Sequence, residues 1–179
     1  ILIAWVMIAL VTAAAVRIIH YINSPDILFL NDRAGAHWIK YDWEFQLVAR
    51  PASQMTSQFR YVFNAIKDVE KAQINVQALN QCQVIFDGIT VFSSTDEFHQ
   101  WKNVHQIIVP FNIKAGPHEM LIMVTSNNSY PAVIAYSDKL PVSTGPGWFA
   151  SIDGKSWQAA VSASQIKLPA ISKELPSAP

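Results

Sequence analysis

His99 and His105 stand six residues apart and are the one pair of close-spaced histidines among His20, His37, His99, His105 and His118. A zinc or copper site needs two or more imidazoles converging at motif spacing, and six fits no such motif. No metal site is expected. Asp96-Glu97, with Asp87 nearby, is the densest acidic cluster, and its chemistry would be acid and base attack on a glycosidic bond. Such carboxylates must flank one bond at a defined separation, whereas neighbours on a loop or strand point apart. These acids therefore read as a solvated loop. No G-x-S-x-G, P-loop or G-x-G-x-x-G pattern occurs, so no catalytic residue, no cofactor and no enzyme activity is expected. Cys82 is the single cysteine, which excludes an intrachain disulfide and leaves it a small buried hydrophobe. Thirteen basic and thirteen acidic residues are scattered along the chain, and no basic stripe marks a nucleic-acid binder.

The elements that carry these residues fall into three textures. Ile1 to Val16 holds no charge, and Trp5 is its strongest hydrogen-bond donor. Sixteen helical residues span about 24 Å, and Ile18, Ile19, Tyr21 and Ile22 carry the apolar character past Arg17 and His20. Residues 1–22 are expected to be a transmembrane anchor in contact with lipid. Ala13-Ala14-Ala15 keeps a secretory signal peptide open as the alternative. Ala4, Trp5, Ala9 and Ala13 supply small and aromatic residues for close helix packing in the membrane, with Ala9 and Ala13 on one face.

Residues 23–36 mix turn residues with one apolar run, Ile27 to Leu30, and read as a connector lying against something. From His37 the pattern alternates: Ile39, Tyr41, Trp43, Phe45 and Leu47 face a core, with Trp38, Lys40, Asp42, Glu44 and Gln46 outward. Further strands are expected at 58–65, 72–79, 82–86, 89–92, 105–111, 119–126 and 132–136. Asp87-Gly88, in "VIFDGITVF", is the pair that a two-residue type I′ hairpin turn demands, and is read as architectural. No stretch after the anchor keeps a 3.6-residue apolar period. Short strands bounded by Gly, Pro, Asn and Ser mean a mainly β, antiparallel sandwich over 37–160. Residues 161–179 are Pro-rich and are expected to run extended.

The order of these pieces is recognisable. Ala72 to Leu79, Val84 to Gly88 and Ile113 to Val124, closed by "GWFASIDGKSWQAA" from Gly147, resemble the galactose-binding-like (discoidin-type) sandwich. That family supplies accessory domains to glycoside hydrolases and to extracytoplasmic parts of membrane proteins. The resemblance implies a jelly-roll-type β-sandwich on the extracytoplasmic side of the membrane, periplasmic or equivalent. It also implies carbohydrate as a partner, because sugar C–H groups stack on exposed aromatic faces. Trp101, Trp148 and Tyr130 are the candidate sugar or partner contacts, with burial in the core as the rival role for each Trp. Two functions are expected to compete. One is a non-catalytic single-pass accessory subunit of a larger membrane assembly, of the energy-converting or transport kind. The other is a carbohydrate-binding module, free-standing or part of a membrane glycosyltransferase or glycosidase.

Overall fold

In a computed structural model of the chain, residues 2–23, 30–33, 35–43, 54–94, 101–127 and 129–163 are described. The apolar N-terminal run is one helix, α1 (Leu2–Asn23), of 22 residues. At 1.5 Å per residue it is about 33 Å long, enough to cross the hydrocarbon core of a bilayer. Its described side chains, from Ile3 to Tyr21, are all exposed, so none of the other described residues buries it.

The strands are β1 (Ile39–Lys40), β2 (Met55–Ala65), β3 (Gln73–Ala78), β4 (Gln81–Phe86), β5 (Ile89–Ser93), β6 (His105–Ile108), β7 (Gly116–Ser126), β8 (Ala132–Tyr136), β9 (Phe149–Ser151), β10 (Gln158–Ala159) and β11 (Val161–Ser162). They form a five-stranded sheet ordered β11-β1-β8-β3-β6 and a six-stranded sheet ordered β10-β9-β2-β7-β4-β5, with every pairing antiparallel. The long β2–β7 ladder, from Met55 opposite Ser126 to Ala65 opposite Gly116, is the spine of the six-stranded sheet.

Alternation makes the sandwich. On the six-stranded sheet Phe59, Phe63, Val84, Phe86, Met120, Ile122, Val124 and Ala150 point inward, where they meet Ile39, Ile74, Val76, Ile107, Val133 and Ala135 of the other sheet. The outward positions of β2 and β7 are largely polar or half-exposed, as one solvated face requires. The five-stranded sheet is different, because its outer face is covered too. Trp38, Leu79, Trp101, Ala132 and Ile134 form a second buried cluster there, with Ala36 and Leu30 of the connector region. This explains why β8 reads as an unbroken apolar run, and why Asn75 and Gln77 of β3 are buried. The Gln77 amide donates to the Lys102 carbonyl, which keeps that polar group satisfied.

Two expectations change here. Trp38, assigned to the outward set, is buried, because the connector and Trp101 close over that face. Val161 and Ser162, assigned to the tail, pair with Lys40 and Ile39 as the edge strand β11. Phe45, Leu47, Asp96-Glu97, His99 and the tail beyond residue 163 lie outside the described residues.

Candidate functional site

The chain changes sheets at Ala160, leaving β10 in one and entering β11 in the other. Both are edge strands at the same side of the sandwich, so the crossing leaves a seam. Backbone bonds fix it: Ala160 N–H donates to the Trp148 carbonyl at 2.9 Å, and Ala163 N–H to the Trp38 carbonyl at 2.7 Å. Along this seam lies a cleft of about 540 Å³, lined by Asp32, His37, Ile39, Gly145, Pro146 and the segment Ala160 to Ser162. Its volume falls inside the range of about 300–1,000 Å³ typical of small-molecule sites.

The polar end of the cleft is built by a tight turn. Arg33 and Ala36 bond each other's backbones at 3.1 and 2.7 Å, which folds the chain back so that Asp32 meets His37. His37 Nδ1 lies 2.7 Å from Asp32 Oδ2, and Trp38 N–H donates to Asp32 Oδ1 at 3.2 Å. The Trp38 indole N–H donates to the Asn31 carbonyl at 3.1 Å, and His37 N–H to the Thr144 carbonyl at 2.8 Å. Asp32 and His37 are each 52% exposed in their side chains, so both present polar atoms to an incoming molecule. Ser162, opposite Ile39 on β1, lines the same space. The cleft thus sets a carboxylate and an imidazole beside the apolar Pro146, Ala160 and Val161. Asp32 is the single carboxylate among its described lining residues, whereas glycoside cleavage takes two.

The sequence candidates lie elsewhere. Trp101 and Trp148 are 2% and 1% exposed, so neither offers a ring face to a sugar. Trp101 packs edge-on to Trp38 at 6.1 Å in the second cluster. Trp148 stacks flat on Tyr61 at 5.0 Å and donates its indole N–H to the Ser143 carbonyl at 2.9 Å. A large ring whose one polar atom is satisfied is better placed inside than out. Tyr130 is half-buried with its ring 5.7 Å from that of Trp43. Ala4, Trp5, Ala9 and Ala13 are exposed along α1. Among the described residues no group of three or more His, Cys, Asp or Glu is placed to hold a metal ion. His105 lies beside the Phe92 ring at 5.0 Å, and His118 is taken up by Asp87.

Comparison with known proteins bears on the fold. No family model matches the chain, and no curated protein does. Among solved structures, the lectin of Pleurotus ostreatus in complex with GalNAc is 19% identical, with a TM-score of 0.56 over 76% of this chain and 44% of that one. The α-L-rhamnosidase of Streptomyces avermitilis, complexed with L-rhamnose, is 18% identical, with a TM-score of 0.54 over 72% of this chain and 14% of that one. The Bacillus GH78 rhamnosidase gives a TM-score of 0.52 at 15% identity, over 68% of this chain and 14% of that one. The shared fold is a β-sandwich. The chain spans less than half the length of each of these proteins, so the likeness is between domains. In the sandwich the Asp87-Gly88 turn is architectural, with φ of 49° and 78° at its two residues, as a type I′ turn requires.

Asp32, His37 and Ser162 were not legible as a set. His37 was one of five scattered histidines, and Ser162 belonged to an apparent tail. The one local signal is the Asp-x-x-Gly turn at 32–35, which folds Asp32 onto His37.

Proposed function

We propose that this chain is a non-catalytic carbohydrate-binding module, held to a membrane by α1 with the sandwich on the extracytoplasmic side, and that the seam cleft is its saccharide site. The observation that carries the proposal is the cleft itself. It sets a half-exposed Asp32 carboxylate paired with His37 beside an apolar wall on a galactose-binding-like sandwich. A carboxylate accepts hydrogen bonds from neighbouring sugar hydroxyls, and an imidazole nitrogen adds a second directional contact. The apolar Pro146 and Val161 on the cleft wall suit the C–H face of a pyranose. Lectin and rhamnosidase likenesses support a carbohydrate partner. The accessory-subunit reading has no observation in its favour over this one, because the exposed faces of α1 suit lipid and a neighbouring helix equally.

The test is a glycan array probed with the full chain in detergent, followed by titration of the best saccharide against Asp32→Asn and Pro146→Trp variants. Losing a hydrogen bond to a charged group costs about 1.5–3 kcal/mol, so Asp32→Asn should weaken binding at least about tenfold. Pro146→Trp, at an exposed lining position, should block the cleft without touching the core. No glycan bound above background, or binding indifferent to both substitutions, would refute the assignment.

A further inference from the structure

The cleft is chained closely to α1. The sandwich is anchored from Leu30 onward: Leu30 packs on the second buried cluster, the Trp38 indole holds the Asn31 carbonyl, Asp32 takes the Trp38 N–H and the His37 ring, and the Ser143 hydroxyl donates to the Gly35 carbonyl at 3.3 Å. α1 ends at Asn23, seven residues before Leu30. Fully extended, that length of chain reaches at most about 25 Å. A domain the size of this sandwich is about 35 Å across, so the tether is shorter than the body it holds. Asp32 lies two residues beyond the first anchored residue and is itself part of the cleft wall. The cleft therefore belongs to the tethered side of the sandwich and not to its far end.

The end of α1 that carries the tether is also the polar end. Arg17, His20 and Tyr21 follow the uncharged run, with Tyr21 exposed, and such residues sit at the lipid–water boundary. With Tyr21 at the headgroups, the Asp32–His37 pair stays within a tether's length of the bilayer surface. A saccharide attached to a lipid of that bilayer is confined to the same layer, and its effective concentration at the cleft is raised over that of the free sugar.

Resting on the carbohydrate reading above, we propose that the ligand of the Asp32–His37 cleft is a lipid-borne saccharide of the membrane in which α1 is embedded. The short tether is the device that selects it. A ligand arriving from solution gains nothing from the tether, whereas a ligand in the same membrane loses affinity as the tether lengthens.

The experiment uses the full chain in phosphatidylcholine vesicles and the best saccharide from the array, once free and once coupled to a dialkyl lipid in the same bilayer. Binding is read as energy transfer from a labelled sugar. A variant carries a Gly/Ser insertion between Asn23 and Leu30 that makes the tether about four times longer. Effective concentration falls with about the three-halves power of tether length, so lipid-borne binding should weaken about eightfold while binding of the free sugar is unchanged. Lipid-borne binding that ignores the insertion, or that is no tighter than free-sugar binding, overturns this inference and leaves the carbohydrate reading standing. Failure of both forms to bind overturns the two together.

Discussion

His118 bridges two acceptors: its Nδ1 lies 2.7 Å from Asp87 Oδ2, and its Nε2 lies 2.7 Å from the Lys114 carbonyl. Only an imidazolium donates from both nitrogens at once, so this geometry calls for the charged ring. The ring sits between Phe63 and Phe86, each 5.7 Å away. Burial there would lower its pKa. The hydrogen bonds to Asp87 and to Lys114, with the Asp87 charge, outweigh burial and hold the value above 6.5. Asp87 Oδ1 meanwhile accepts the Glu119 N–H at 2.8 Å, so the hairpin turn is tied to β7 at two points.

Stability should follow this ring. Its folded pKa lies above the unfolded one, so its contribution is complete below pH 6.5 and is lost as pH rises through the folded value. The melting midpoint of the full chain in detergent should fall across that rise, and His118→Gln should flatten the fall. Asp87→Asn keeps a residue that tolerates the positive φ but removes the charge. It should cost about 1.5–3 kcal/mol on the acid side and less on the alkaline side. An unchanged pH slope in both variants would sink the imidazolium.

The buried tryptophans should behave as core and not as contacts. Trp148→Ala removes a fully buried ring stacked on Tyr61 and should cost about 3–5 kcal/mol, and Trp101→Ala a similar amount. Trp157 is half-buried beneath the Arg60 guanidinium, 4.7 Å from its ring, and Trp157→Ala should forfeit only about 0.5–1 kcal/mol of cation–π attraction plus modest packing. Denaturant titration ranks the three. A loss at Trp101 no larger than that at Trp157 would mean that the covered outer face of the five-stranded sheet adds little.

The loop at 151–156 should outlast acid. Asp153 Oδ1 accepts N–H bonds from Ser156 and Lys155, each at 2.8 Å, and the Ser151 hydroxyl at 2.9 Å. These bonds hold its carboxyl far below the ordinary 3.8, with the Ser156 and Lys155 amides the largest causes. A lowered folded value means that the contribution is present above pH 3.8 and is lost only as pH falls through the much lower folded value. Hydrogen exchange at Lys155 and Ser156 should therefore stay slow where ordinary carboxylates are already protonated, and Asp153→Ala should make it fast at all pH. Fast exchange in the unaltered chain near pH 3.8 would contradict this.

What the sequence made legible was periodicity and turn chemistry. Phe59, Tyr61 and Phe63 on one side of β2, and the Asp87-Gly88 turn between β4 and β5, follow from local rules that need no distant partner. Trp38 and Trp101 did not, because a second covered face is decided by which loop folds over a sheet. Trp148 failed as a contact for a similar reason: a loop position in sequence is no guide to exposure when Tyr61 waits to stack on it. The cleft was least legible of all. Asp32 and His37 are brought together by one turn, but Ser162 joins them only because β11 pairs with β1 across more than a hundred residues of chain.

The membrane role proposed for α1 yields the sharpest division between readings. Its one hydroxyl near mid-span, Thr12, donates to the Ile8 carbonyl at 2.9 Å, so lipid would meet no unsatisfied side-chain hydroxyl there. An Ala9→Arg substitution places a charge near the centre of the span and should cost about 2.5–3.5 kcal/mol of apparent insertion free energy. A chain lacking residues 2–22 should move from the alkaline-resistant membrane fraction to the soluble one with its melting transition kept, since none of the described residues of the sandwich packs on α1. Intact-mass measurement of the mature protein then separates anchor from signal sequence. A mature chain that retains Ile3 to Tyr21 keeps the short tether and the lipid-borne ligand with it. One that starts beyond Ala15 has lost the span, and the cleft would then serve a free saccharide.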